Sequence, residues 1–157
     1  MVQYLRQKFA TQIAEGRFEL IESDILKADL AQWGPAPIAG NLPYYITSPI
    51  LGKVFATGPV WTQAVFLVQA EVATRICAGP GSRDYGYLSV LVQAQAKPER
   101  VCEVPAAAFR PPPKVESAVV KLTPYASGIE DIRKLLKFAS VCFRMKRKTL
   151  QIGRALV

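Results

Sequence analysis

Histidine is missing altogether from this 157-residue chain. The absence removes imidazole acid–base chemistry and the usual Ser-His and Cys-His nucleophile pairs. Cysteine is scarce: Cys77, Cys102 and Cys142 are odd in number and far apart, which is no disulfide framework. Without histidine or clustered cysteines there is no ligand set for zinc, and no metal is expected. Apolar runs long enough to cross a bilayer are lacking, as is a charged-then-apolar leader at the N-terminus. The expectation is therefore a soluble cytoplasmic protein with no membrane partner. Acidic residues are outnumbered, twelve against twenty Lys and Arg, for a net charge of +8. That balance favours polyanionic partners, nucleic acid above all.

Half of the residues are hydrophobic, enough for one sizeable core. Val2, Leu5, Phe9 and Ile13 recur at helical spacing, and Gly16 stands where a helix C-cap would. Phe18 to Ile21 reads as a short strand ending at Glu22-Ser23-Asp24, and Pro37 to Ala39 as a second. Ser48-Pro49 opens a helix running to about Ala56, since proline suits a first helical turn. Ala64 to Val68 is the unbroken apolar run of a buried parallel strand. Glu71 to Cys77 and Leu88 to Ala96 read as helices, and Val101 to Val104 and Ser117 to Leu122 as strands. A basic amphipathic helix spans 129–150, with Ile132, Leu135, Leu136, Ala139 and Phe143 on one face. Strands alternating with helices predict an α/β fold around a parallel sheet closed by antiparallel edge strands. Ligands of such sheets bind beyond the C-terminal strand ends, so Asp24 and Asn41 are both expected on that rim.

The most informative segment is Ala39-Gly40-Asn41-Leu42-Pro43-Tyr44-Tyr45. The Asn41 side-chain oxygen can accept from an exocyclic amine, and a proline, having no N–H, leaves a carbonyl free to accept a second bond. Tyr44 offers a flat face for stacking. Two acceptors converging on an adenine amine aim its lone pair at an electrophile, the geometry of methyl transfer to an unstacked base. The plainer alternative is a strand-to-loop turn, with Tyr45 the likelier core residue of the pair.

Four stretches together resemble the ribosomal RNA adenine dimethyltransferase family, which dimethylates two adjacent adenines near the 3′ end of small-subunit rRNA. They are Glu22 to Lys27; Asn41 to Tyr44; Gln69 to Arg75 with Tyr85 to Val90; and Phe109 to Val120. The run Arg144 to Leu150 is similar to the entrance of that family's helical domain. The resemblance implies S-adenosyl-L-methionine as cofactor, with Asp24, Ile25 and Asn41 contacting it. It implies Asn41, Pro43, Tyr44 and Phe109 as the catalytic set, Phe109 stacking on the target base opposite Tyr44. Arg144, Lys146, Arg147 and Lys148 would contact rRNA phosphates, in a stretch (130–154) with eight basic and two acidic residues. Partners would be small-subunit rRNA and the pre-30S particle, met by a monomer.

The chain departs from that pattern in one respect. No Gly-x-Gly precedes Asp24, and the first element is a helix rather than a strand. The expected architecture is therefore a partial Rossmann-like methyltransferase sheet over 1–124, followed by the start of a small helical domain over 125–157. The chain is expected to be a fragment that lacks the cofactor loop and most of the C-terminal helices. Two other readings compete: an rRNA-binding module without catalysis, and an adenine methyltransferase acting on large-subunit rRNA or DNA. The two consecutive prolines usual in DNA enzymes after the Asp or Asn are absent here, and the stretch from Phe109 leans toward the small-subunit type.

Overall fold

The structure, a computed structural model, describes residues 1–58 and 60–144. Its elements are α1 (Val2–Lys8), α2 (Ala10–Ala14), β1 (Ala36–Asn41), α3 (Thr47–Ala56), β2 (Trp61–Gln69), α4 (Ala70–Cys77), α5 (Tyr87–Gln93), β3 (Ala96–Val104), β4 (Ser117–Pro124) and α6 (Ile132–Arg144). The four strands form one sheet in the order β1-β2-β4-β3. β1 and β2 are parallel, joined through α3, and β4 runs antiparallel to both of its neighbours. Among the described residues no helix is long and apolar enough to cross a membrane.

Burial follows the residue pattern closely. On β2, Ala64, Phe66 and Val68 are buried while Val65 and Leu67 are half-buried, so both faces of the strand are covered. The buried residues of α3 are Thr47, Ile50, Leu51, Val54 and Phe55, the i, i+3, i+4, i+7, i+8 stripe of an amphipathic helix. They meet Ala73 and Ile76 of α4, Leu91 and Val92 of α5, and Ala118, Val120 and Leu122 of β4 in one core. Pro98 is tolerated within β3 because that strand lies at the sheet edge.

Three expectations change. Phe18 to Ile21 is not a strand. Its alternation survives, with Phe18 and Leu20 half-buried around an exposed Glu19, and the Phe18 ring packs on Phe9 with centroids 5.0 Å apart. A strand also needs a backbone partner, and β1, at the edge, pairs only with β2 among the described residues. The helix expected to reach Ala96 ends at Gln93, and Ala96 opens β3 instead. The N-terminal helix is split at Phe9 (φ −110°, ψ 23°), although Val2, Leu5, Phe9 and Ile13 do form the half-buried side and Gly16 does adopt a positive φ of 68°.

α6 packs its expected face inward: Ala139 is buried, Leu136 contacts the core, and Phe143 meets Tyr85 edge-on at 6.0 Å. Asp131 caps it, its carboxylate accepting from the Lys134 N–H at 2.9 Å and its carbonyl from the Leu135 N–H at 3.2 Å. The Lys134 backbone bond, ahead of smaller contributions, holds the Asp131 carboxyl below its ordinary pKa.

Two predictions arise from this packing. Leu122 is fully buried on β4 between Ala64 and Pro98, so Leu122→Ala lowers stability by about 2–5 kcal/mol in a urea melt. The Asp131 pKa is lower folded than unfolded, so its stabilisation is complete above the unfolded value and is lost as pH falls through the folded one. The thermal advantage of the native chain over Asp131→Asn is therefore full at neutral pH, begins to decline below about pH 4 and is gone below the folded value.

Candidate active site

The sheet register gathers three connections at one rim. β1 ends at Asn41 opposite Leu67, β2 ends at Gln69 opposite Ser117, and Ser117 also pairs with Val104 at the end of β3. The segments after β1, after β2 and between β3 and β4 therefore emerge together, at the C-terminal ends of the parallel strands.

Gly40 sets the first of these segments. A Cβ there would lie 3.0 Å from Leu42 Cδ2 and 3.4 Å from Phe66 Cδ1. Its absence lets Leu42 enter the core at 6% exposure, which leaves Asn41 and Pro43 facing outward on either side. The Pro43 carbonyl accepts from the Ile46 N–H at 3.1 Å and the Thr47 hydroxyl at 3.2 Å. The Leu42 carbonyl has no donor among the described residues, so beside Asn41 the free acceptor lies one residue earlier than Pro43 itself.

Residues Tyr44–Ile46 form a single 3₁₀ turn. Tyr44 is half-buried, and its hydroxyl lies 2.6 Å from Oγ of Ser117, a residue with no exposed surface. Tyr45, expected in the core, is 85% exposed. At three residues per turn, successive side chains diverge by about 120°, so directing Tyr44 and Ile46 inward turns Tyr45 out.

Phe109 sits in the β3–β4 connection, which its own hydrogen bonds stiffen. The Ala106 N–H donates to the Glu116 carboxylate at 3.1 Å, the Phe109 N–H to the Ala106 carbonyl at 3.1 Å, and the Ala70 N–H to the Glu116 carbonyl at 3.0 Å. The Arg110–Pro111 peptide is cis. A cavity of about 310 Å³ results, with Asn41 to Tyr44 on one side and Phe109, Pro111 and Pro113 on the other. A larger cavity of about 600 Å³ lies at the opposite end of the sheet, beside Trp61 and Tyr125. It is lined by Phe55, Trp61, Gln95 and Ser127 among others, but it lies away from the C-terminal strand ends where the Asn41 motif and Phe109 meet.

The other residues singled out lie elsewhere. Asp24 and Ile25 do not line the Asn41 cavity, and no strand carries them to its rim. Asp24 Oδ1 accepts from the Leu26 N–H at 2.9 Å. Glu71 and Arg75 are an exposed i, i+4 ion pair on α4. Arg144 is exposed at the end of α6, and Lys146, Arg147 and Lys148 lie outside the described residues. The three cysteines are free; burial raises the Cys77 pKa against the opposing charge of Arg100, so its thiol stays protonated and is a poor nucleophile. No cluster of ligating residues that could hold a metal exists among the described residues.

The sequence profile of the family described as ribosomal RNA adenine dimethylase matches residues 1–155. The chain belongs to that family. It is similar to "Ribosomal RNA small subunit methyltransferase A" of Thermosynechococcus vestitus, 46% identical over 126 residues, which are 77% of this chain and 46% of the relative. Its counterpart in Lactobacillus delbrueckii subsp. bulgaricus is 40% identical over 156 residues, 93% of this chain and 53% of the relative. Among solved structures, a dimethyladenosine transferase from Plasmodium falciparum superimposes with a TM-score of 0.80 at 32% identity, covering 95% of this chain and 54% of that one. The 23S rRNA methyltransferase ErmE gives 0.73 at 26% identity over 91% of this chain and 57% of that one. The sheet is Rossmann-like, as expected, and the chain spans about half the length of the curated relatives it matches.

Within this chain, Ser117, Glu116 and the Leu42 carbonyl escaped the sequence reading. A serine opening a strand and a glutamate beside it carry no local signal. Only the register, which sets Ser117 opposite Gln69, brings them to the motif. Replacing Tyr44 with Phe leaves the fully buried Ser117 hydroxyl without this partner, and a loss of about 1–3 kcal/mol is expected in denaturant melts. Ser117→Ala combined with Tyr44→Phe costs less than the sum of the two single changes.

Proposed function

We propose that the protein takes part in S-adenosyl-L-methionine-dependent dimethylation of two adjacent adenines near the 3′ end of small-subunit rRNA, on the pre-30S particle in the cytoplasm, acting as a monomer. The observation that carries the reading is the cavity in which the Asn41 carboxamide and the Leu42 carbonyl stand beside the rings of Tyr44 and Phe109. Residues 1–124 would serve as the catalytic part and 125–157 as the start of the RNA-binding helices, with Arg144, Lys146, Arg147 and Lys148 on phosphates.

The cofactor, when bound, supplies an electrophilic methyl group. What this chain holds fits its adenine end. The second Asp24 oxygen and the Ile25 N–H have no partner among the described residues, an acceptor and a donor side by side for an amine and a ring nitrogen. Asn41, at the strand end, would close the site between cofactor and target. Tyr44 and Phe109 would grip the target adenine from its two faces, each stacked ring contributing about 1–3 kcal/mol. Asn41 Oδ1 and the Leu42 carbonyl would take the two amine hydrogens, drawing the nitrogen out of conjugation and fixing the direction of its lone pair. Alkylation leaves that nitrogen cationic and acidic, so its proton passes to water without a dedicated base. A chain without histidine suits such chemistry. The monomethylated amine still carries one hydrogen, which a single acceptor can hold through a second round.

The curated relatives at 40–46% identity are small-subunit enzymes by name, against 26% for the large-subunit ErmE, and this supports the small-subunit target. The test is transfer of labelled methyl to unmodified small-subunit particles, with large-subunit RNA as control. Asn41→Ala is expected to lower turnover at least about 100-fold with RNA affinity nearly unchanged. Unaltered turnover refutes the assignment. Salt-dependent RNA binding with no transfer by the unsubstituted chain favours the binding-module reading.

A further inference from the structure

Tyr45 is the most exposed aromatic side chain among the described residues at 85%, against 61% for Phe138 and 57% for Tyr4. Its hydroxyl has no hydrogen-bond partner there, whereas the exposed Trp33 and Tyr125 donate to Glu19 and to the Gln93 carbonyl. Single exposed rings are common and need no explanation by themselves. Two further observations distinguish this one. Its backbone is pinned on both sides: Pro43 accepts from Ile46 and Thr47, Tyr44 is tied to Ser117, and the neighbouring Thr47 is buried. The ring is thus presented by a rigid turn and has only its own two torsions to lose on contact. In addition, no residue from Leu30 to Gly52 carries a charged side chain. Phosphates find no ion pair from this segment, the nearest cations in the facing β3–β4 connection being Arg110 and Lys114, and a flat ring is the handle this segment itself offers.

Resting on the function proposed above, we infer that Tyr45 stacks on the base flanking the target adenine, so that the Tyr44–Tyr45 pair reads two consecutive nucleotides of a single strand. Tyr44 faces the slot and Tyr45 diverges from it by about a third of a turn. A strand that leaves one base in the slot passes its neighbour over the mouth, where the Tyr45 ring waits. The substrate class is single-stranded RNA with a purine beside the methylated adenine, purines offering the larger stacking surface. Two adjacent adenines satisfy that requirement in either order of modification.

The probe is a short single-stranded RNA carrying 2-aminopurine next to an adenine, titrated with the full chain. Stacking on Tyr45 quenches the probe. Tyr45→Ala is expected to abolish the quenching and raise Kd by roughly 5- to 150-fold, while Tyr45→Phe and Tyr45→Trp retain both. An unchanged melting temperature for Tyr45→Ala, expected of so exposed a side chain, excludes misfolding. Quenching and Kd within twofold of the native chain in Tyr45→Ala overturn the inference and leave the proposed function standing. So does a Tyr45→Phe variant as weak as the alanine variant, because that assigns the effect to the hydroxyl. Absence of any RNA binding by the native chain overturns both.

Discussion

The hydrogen bond between Tyr44 and Ser117 joins residues 73 apart in sequence and ties the two halves of the cavity together. Tyr44 belongs to the turn after β1, and Ser117 is the first residue of β4, directly after the connection that carries Phe109. The register brings the two residues together: β2 pairs with β1 on one side and β4 on the other, and both meet at the rim where β2 ends. Ser117 is fully buried, so its hydroxyl needs a partner inside the protein, and the Tyr44 hydroxyl supplies it. One wall cannot move without unpairing the other. A slot for a planar ring needs that constraint, because stacking falls away quickly once two walls separate.

The same rim explains how the proposed chemistry proceeds without an ionisable catalyst. Nothing lining the cavity carries charge. The Cys77 thiol, outside the cavity, is shifted toward the protonated form by burial. What remains are neutral acceptors on fixed backbone: a carboxamide at a strand end and a carbonyl left over by the turn. Fixed dipoles near a developing cation stabilise it without reorganising, and they do not have to be charged in advance. A glycine sustains this arrangement. Gly40 lets Leu42 sink into the core, and the sinking of Leu42 turns its neighbours outward.

Local chemistry was legible from the residues alone, and long-range register was not. The apolar run from Ala64 to Val68 announced the central strand, and Ser48-Pro49 announced the start of α3, because both signals lie within one element. The motif from Asn41 to Tyr44 was read as a unit, and Phe109 was joined to it by resemblance before any geometry placed them at one cavity. Phe18 to Ile21 misled because alternation describes faces and says nothing about a hydrogen-bonding partner. Tyr45 was misassigned to the core for a similar reason. Two identical neighbours differ only in the phase of a 3₁₀ turn, and that phase is decided by a serine on a distant strand.

Charge is divided unevenly between the two sides of the slot, and the division has a physical logic. The net charge of +8 belongs largely to other parts of the chain, such as the stretch from Arg133 onward, while Leu30 to Gly52 is neutral. Charge attracts a polyanion over a Debye length of about 10 Å and is indifferent to sequence. Neutral rings and amide dipoles act only at contact, and they distinguish one base edge from another. The cations nearest the slot in sequence, Arg110 and Lys114, belong to the connection that carries Phe109, and neither lines the cavity. Cations beside the slot and none lining it leave the slot itself free to accept an unstacked purine while phosphates are met around it.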